Sequence, residues 1–228
     1  MYANSRTVST AQTGIHAHLQ RLVTRHARSV FQKPIADYNR RAFDASMAAW
    51  RGASAPPLIL DAGCGVGWST HRLALQFPGH FVIGVDQSAD RLARGMSGLR
   101  TGPSNLLLVR ADLIDYWRLL HAAGVQLAHH YVLYPNPWPK IGQLARRWHA
   151  HPVFPTVVAL GGEFECRSNW PVYIAECAAA LNQLTGAAVA AECYTPTAIL
   201  TPFEKKYLVS GHLLARCRTR LCPSLSAL

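Results

Sequence analysis

Three aspartates and three glycines stand at spacings that can hold a small charged molecule. The apolar run Leu58-Ile59-Leu60 leads into Asp61, and Gly63, Gly65 and Gly67 follow in a GxGxG turn. Glycine lets the backbone turn tightly and lets a ligand come close. The turn alone is a weak sign, because tight strand-to-helix turns also use glycine for packing. Its context strengthens it: a strand before, a helix after, and Asp86 at the end of the next strand, where an acid accepts from both ribose hydroxyls. Two features of a dinucleotide site are missing. The spacing is GxGxG rather than GxGxxG, and Asp61 stands where pyrophosphate would be repelled. That acid stabilises instead a sulfonium and an ammonium that carry no phosphate with them. The cofactor so selected is S-adenosyl-L-methionine. Asp112 ends the third strand and is placed to bond an adenine amino group; it reads equally as a helix N-cap, and the two roles are compatible.

A second group follows the fourth strand. In Tyr134-Pro135-Asn136-Pro137-Trp138-Pro139-Lys140, two prolines fix the backbone around Asn136. A rigid polar loop at a strand's carboxyl end is where a methyl acceptor would sit; a stiff structural turn with Trp138 as core is the plainer reading. Lys140, Arg146, Arg147 and His149 form a basic run, either a solvated face or a set of phosphate contacts. Trp138 and Trp148 are candidates to stack on a base, although such residues more often pack. His149 and His151 are two apart and face different ways on a helix, so no metal site is expected.

The elements that must position these groups alternate. Strand patterns fall at 58–61, 81–86, 106–110, 130–134, 164–168, 187–193 and 211–218. Helix patterns fall at 68–77, 90–99, 113–123, 152–160 and 172–184, with stops at Pro78-Gly79, at Thr101-Gly102-Pro103 and at Gly161-Gly162. Such alternation predicts an α/β fold: a seven-stranded, mostly parallel sheet with helices on both faces and ligands at the strands' carboxyl ends. Pro56-Pro57 reads as a hinge. It separates a basic helical extension over 1–55 from a main domain over 56–228. Residues 1–12 are polar and read as loose. Leu19, Leu22, Val23, Val30 and Phe31 supply an apolar stripe in the extension, with Arg21, Arg25, Arg28, Arg40 and Arg41 among them.

The chain of 228 residues carries a formal charge of +11, and 19 of its 23 basic residues are arginine. Guanidinium groups match phosphate in two-point fashion. The excess therefore points to a polyanion such as nucleic acid, against the plain alternative of an arginine-rich genome. Six cysteines form no CxxC pair, which argues against a zinc knuckle or a disulfide framework and for reduced thiols in a cytoplasmic protein. No apolar run reaches membrane-spanning length, and the first ten residues hold no apolar signal core. A monomer or a homodimer is compatible with all of this.

Taken with their order and spacing, these residues resemble the bacterial tRNA (guanine-N7) methyltransferases, from about Leu58 to the end. Tyr134–Lys140 is similar to that family's PDPW(P/H)K loop, and Arg146-Arg147 to the twin arginines after it. Leu160-Gly161-Gly162, then Arg167-Ser168-Asn169-Trp170 with Tyr173, resembles its LGG…TDW…Y block. Thr201-Pro202-Phe203-Glu204 resembles its TxFE motif. The resemblance implies a Rossmann-like class I methyltransferase acting in tRNA modification. It makes Asp61, Asp86 and Asp112 cofactor acids and sets Asn136 beside cofactor and acceptor. It makes Lys140, Arg146, Arg147, Asn169, Tyr173, Thr201 and Glu204 contacts to tRNA or guanine.

Two positions depart from the family, because Asn136 and Asn169 stand where it has Asp. Guanine N7 has a free lone pair and no proton, so methylation needs alignment and a tolerant field rather than a general base. Asparagine keeps the size and the carbonyl but loses the charge. Glu204 then becomes the acid expected to meet the guanine edge, and with Asn136 it forms the expected catalytic pair. Two rival readings stand beside this one: the same fold acting on a base amine or a small molecule, and a basic RNA-binding protein with a weakened site. The extension's arginines are expected on the RNA backbone.

Overall fold

The computed structural model describes residues 4–98 and 102–222, and side chains for all of these except 96–98. The expected helix end at 99 and the turn residue 101 lie outside the described residues. Two helices come first, α1 (Leu19–Ala27) and α2 (Asp37–Gly52). Then follow β1 (Leu58–Ala62), α3 (Trp68–Gln76), β2 (Phe81–Asp86), α4 (Ala89–Gly98), β3 (Leu106–Arg110), α5 (Leu113–Ala122) and β4 (His129–Leu133). Two short 3-10 turns, Ile141–Arg146 and Trp148–Ala150, lead to α6 (Phe154–Ala159), β5 (Gly162–Ser168), α7 (Pro171–Thr185), β6 (Ala191–Cys193), α8 (Pro202–Val209) and β7 (Ala215–Leu221).

The strands form one seven-stranded, mostly parallel sheet, as the alternation predicts, and its order is β3-β2-β1-β4-β5-β7-β6. β7 alone runs antiparallel, against both β5 and β6. Every residue of β1 and β2 is buried, the mark of central parallel strands covered on both faces. Alternate side chains sort to two cores. Leu58, Leu60, Phe81, Ile83 and Val85 join Trp117, Leu120, Phe164 and Ile174 on one face, while Ile59 and Val82 meet Leu73 and Tyr131 on the other. Each fully buried aliphatic contributes roughly 1.5–3 kcal/mol. After β3 the chain recrosses the sheet to place β4 on the far side of β1. The order reverses there, and a crevice opens at the carboxyl ends of β1 and β4.

The helices of the N-terminal extension pack onto the main core. Leu19, Val23, Phe43 and Met47 belong to the larger core. Asn39 donates to Asp115 Oδ2 at 2.6 Å and accepts from the Asp112 amide at 3.0 Å. Ser46 Oγ meets Tyr116 Oη at 2.8 Å. The apolar stripe ends with α1 at Ala27, so Val30 lies outside it and is 77% exposed. At Pro56 the Trp50 indole donates to the proline carbonyl at 2.8 Å. Two of the early residues described are tied to the rest of the chain. Thr10 Oγ1 donates to Pro139 O at 2.5 Å, Ser5 N to Ser210 Oγ at 3.2 Å, and His212 Nε2 to Ser5 O at 2.9 Å.

Three elements shift against expectation in the last third. β6 is shorter than 187–193 because it is an exposed edge. β7 begins at Ala215 rather than 211, since a turn at Gly211 precedes it. α8 is an addition to the expected elements, although Thr201 caps it by accepting from Glu204 N at 2.9 Å.

Candidate active site

The glycine turn follows from its backbone. Gly63, Gly65 and Gly67 have φ of 84°, 60° and 75°, a region that side chains disfavour. A Cβ on Gly67 would lie 2.7 Å from Leu108 Cδ1, so the turn packs down on β3. Asp86 ends β2 and is tied on two sides, accepting from Gly65 N of the glycine turn at 3.1 Å and from Ser88 N of its own loop at 2.8 Å. Arg91 pairs with it at 3.2 Å. Asp112 caps α5, accepting from Ile114 N at 2.8 Å, and also lines the cleft. Lys33 lies 3.5 Å from its carboxylate.

Asp61 sits lower than expected. It is 1% exposed and is not in the cleft wall; Ser69 and Thr70 hydroxyls donate to its Oδ2 at 2.6 and 2.7 Å. Burial pushes its carboxyl up to about 6 despite those two bonds, and the Asp86 charge adds to the rise. It places a negative charge beneath the glycine turn rather than a direct contact. The fit to a cationic, phosphate-free methyl donor is good. Two carboxylates, Asp86 and Asp112, line a cleft of about 540 Å³ that runs from the ends of β2 and β3 past Gly63 to the tip of β4.

At the β4 end, Asn136 is exposed and lines the cleft between its two prolines. Tyr134 and Trp138 take left-handed φ of 52° and 45°, which aims the loop into the cleft. Arg146 is exposed, with its guanidinium 4.8 Å from the Trp138 ring centre. Lys140 is exposed beside the loop.

Other expected contacts are turned inward. Arg147 is 0% exposed: it donates to Glu176 at 2.6 Å, to Gln12 Oε1 at 2.9 Å and to Trp138 O at 3.1 Å, so phosphate cannot reach it. Burial opposes ionisation of Glu176, yet bonds from His149 and Arg147 hold its pKa down to about 2. Tyr173 is 1% exposed and accepts from Trp148 N at 3.3 Å. Thr201 serves as a helix cap. Asn169 Nδ2 meets His212 Nδ1 at 3.1 Å and stays out of the cleft. Glu204 is 0% exposed and fully engaged, accepting from Tyr194 at 2.6 Å, Arg167 at 2.8 Å, Tyr134 at 3.0 Å and Leu200 N at 2.7 Å. Burial alone would raise its pKa, but the Tyr194 bond, the Leu200 amide and Arg167 together lower it. A carboxylate so placed holds the Tyr134 loop.

Residues 55–217 match the family model described as "Putative methyltransferase". A tRNA (guanine-N(7)-)-methyltransferase of Bordetella pertussis is 30% identical over 173 residues, 73% of this chain and 67% of that protein. One from Mycobacterium avium is 34% identical over 116 residues, 50% of this chain but only 44% of that protein. The chain belongs to the bacterial tRNA (guanine-N7) methyltransferase family. Solved structures agree on the fold. The 16S rRNA methyltransferase KamB superposes with a TM-score of 0.56 at 18% identity, covering 84% of this chain and 96% of that one. A 16S rRNA (adenine(1408)-N(1))-methyltransferase of Catenulisporales acidiphilia with cosubstrate SAM gives 0.54 at 17% identity, covering 89% and 98%. The sheet is thus that of a Rossmann-like class I methyltransferase.

Within the family's TxFE motif, the sequence points to the threonine and the glutamate, and the structure turns both away from the cleft. The residue between them, Phe203, lines it, and so does Tyr207 one turn later. Arg91 also lines the cleft unforeseen. Helical spacing from the Thr201 cap is the signal that could have found the two aromatics.

Proposed function

We propose that the protein transfers a methyl group from S-adenosyl-L-methionine to N7 of a guanine in tRNA. One observation carries this reading: a single cleft joins the Asp86 and Asp112 carboxylates to the Asn136 loop across the sheet's reversal point. Asp86 and Asp112 would hold the donor beside the glycine turn, with Asp61 supplying negative charge from below. The bound donor supplies an electrophilic methyl group. Asn136, fixed by its prolines, offers an oriented amide where donor and acceptor meet. No general base is needed, so catalysis rests on alignment and field. The charge of +11 suits a tRNA partner, and a bacterial cytoplasmic role accompanies it. Among the described residues, no helix is long and apolar enough to cross a membrane.

A second reading keeps one observation in its favour: Asn136 with Pro137 can hold an exocyclic amine by its carbonyl. The test is radiolabelled methyl transfer to unmodified tRNA with the product nucleoside identified. Label in 7-methylguanosine supports the first reading. Label in a methylated base amine moves the assignment to the second, and no transfer alongside intact donor binding removes both.

A further inference from the structure

Two aromatic residues of α8 form a feature that the methyl-donor site does not use. Thr201 caps the helix, and Phe203 and Tyr207, four apart, project on the same side. Their rings are nearly parallel, at 25° with centres 6.2 Å apart. Phe203 is 48% exposed in the cleft wall. Tyr134 lies 5.6 Å from Tyr207. Each of the two tyrosines is braced from behind. Glu204 holds the Tyr134 hydroxyl at 3.0 Å. His212 lies flat on Tyr207 at 5.2 Å and 21°, and is itself held by Asn169 and by Ser5 O. Asn169 and Glu204 thus act one layer behind the cleft, on the rings that face it.

Among the described residues, the cleft's carboxylates are Asp86 and Asp112, both at the tips of β2 and β3; the lining beyond β4 carries none. An acceptor hydroxyl or exocyclic amine must shed a proton and calls for a base nearby. His151 also lines the cleft, but its Nδ1 lone pair is taken by the Val153 amide at 3.1 Å, so the β4 end offers flat electron-rich faces in place of a free base. Such faces stack on bases and attract cations.

We propose that Phe203 and Tyr207, backed by Tyr134, form the face on which the acceptor base stacks, and that this wall selects a ring nitrogen that becomes cationic on methylation. This deepens the reading given above and rests on it. The ring-nitrogen lone pair forms the new N–C bond while the C–S bond breaks and its electron pair leaves with sulfur. The base gains one positive charge, the sulfur loses one, and no proton is released in that step. The aromatic faces stabilise the charge at the place where it arrives.

The test uses the full chain and the variants Phe203→Leu and Tyr207→Leu. The first measurement is equilibrium binding of 7-methylguanosine monophosphate and of guanosine monophosphate, followed by tryptophan fluorescence below neutral pH. The methylated, cationic ring is expected to bind about tenfold or more tighter, and each variant to erase that preference. Equal binding of the two nucleotides, or a preference that survives in both variants, overturns the proposal. The second measurement is turnover on tRNA, with donor affinity by calorimetry. Each variant is expected to lose about tenfold or more in kcat/KM with unchanged donor affinity. Unchanged kcat/KM in both variants also overturns it. A wild-type protein that methylates no guanine N7 yet shows the nucleotide preference sinks the guanine reading and leaves the aromatic wall standing.

Discussion

Arg147 and Glu176 meet at 2.6 Å with neither side chain exposed to solvent. Glu176 Oε2 also accepts from His149 Nε2 at 3.0 Å, while its Oε1 takes Gln12 Nε2 at 2.7 Å and His16 N at 3.0 Å. One carboxylate therefore joins α7, the turns after the acceptor loop, and the segment ahead of α1. Burial holds His149 below its usual range, consistent with a neutral ring donating through Nε2.

Arg147→Ala leaves Glu176 buried and short of a partner. Breaking such a pair costs about 3–5 kcal/mol, or about 10 °C in Tm for a chain of this size. The salt dependence of tRNA binding should not change. Arg146→Ala, on the exposed neighbour, should do the reverse: Tm constant, salt slope reduced by about 1. Thermal melts and binding titrations against salt read both. A constant Tm in Arg147→Ala would return that residue to the phosphate-binding set.

The Asp61 carboxyl sits at about 6, raised by burial. A raised acid favours folding below its unfolded value and loses that advantage as pH climbs through about 6. Binding a cation reverses the preference, because the ionised form is then wanted. Affinity for S-adenosyl-L-methionine should therefore weaken as pH falls from about 7 to about 5, with a proton released on binding near 6. Calorimetry in buffers of differing ionisation enthalpy measures this release. Asp61→Asn should bind more weakly at about pH 7 and lose the pH dependence. If its profile still tracks the wild type, the charge beneath the glycine turn is not what the donor senses.

Glu204→Gln tests the inward reading of that acid. Four groups converge on it, including Arg167, whose own pKa is shifted up; burial opposes that rise, and Glu165 and Glu204 are among the charges producing it. The amide should lower Tm by several degrees and reduce turnover through a loosened Tyr134. Reduced turnover with Tm fully retained would mean that the carboxylate touches the base directly.

Arg21 and Arg25 on α1 and Arg28 at its C-cap are exposed around a shallow groove, and Arg41 is exposed on α2. Changing Arg25, Arg28 and Arg41 to glutamine should flatten the salt dependence of tRNA binding by about 0.9 for each phosphate that is no longer neutralised. Stability should move by less than about 0.5 kcal/mol per site. An unaltered slope would confine these arginines to solvent.

The sheet was readable because its central strands are continuous apolar runs punctuated by glycine and proline, and burial on both faces demands that pattern. Asp86 and Asp112 were readable for a related reason: they stand where strands end, next to turn residues. What escaped depends on distant partners. Arg146 and Arg147 are adjacent and alike in sequence, and only Glu176 decides which one is buried. Thr10 and Gln12 look like solvated residues until Pro139 and Glu176 are placed beside them. α8 lacks an apolar stripe, since its inward residue is the acid Glu204, so periodicity missed it and with it the aromatic pair.

The bond between His212 and Ser5 spans 207 positions of sequence. During synthesis the early arm must wait for nearly the whole described chain before it can dock. Closing so large a loop is slow and entropically costly before its contacts repay it. The donor half, built from residues close in sequence, can be complete much earlier. A nascent protein would then complete its donor half before Ser5 could close onto His212.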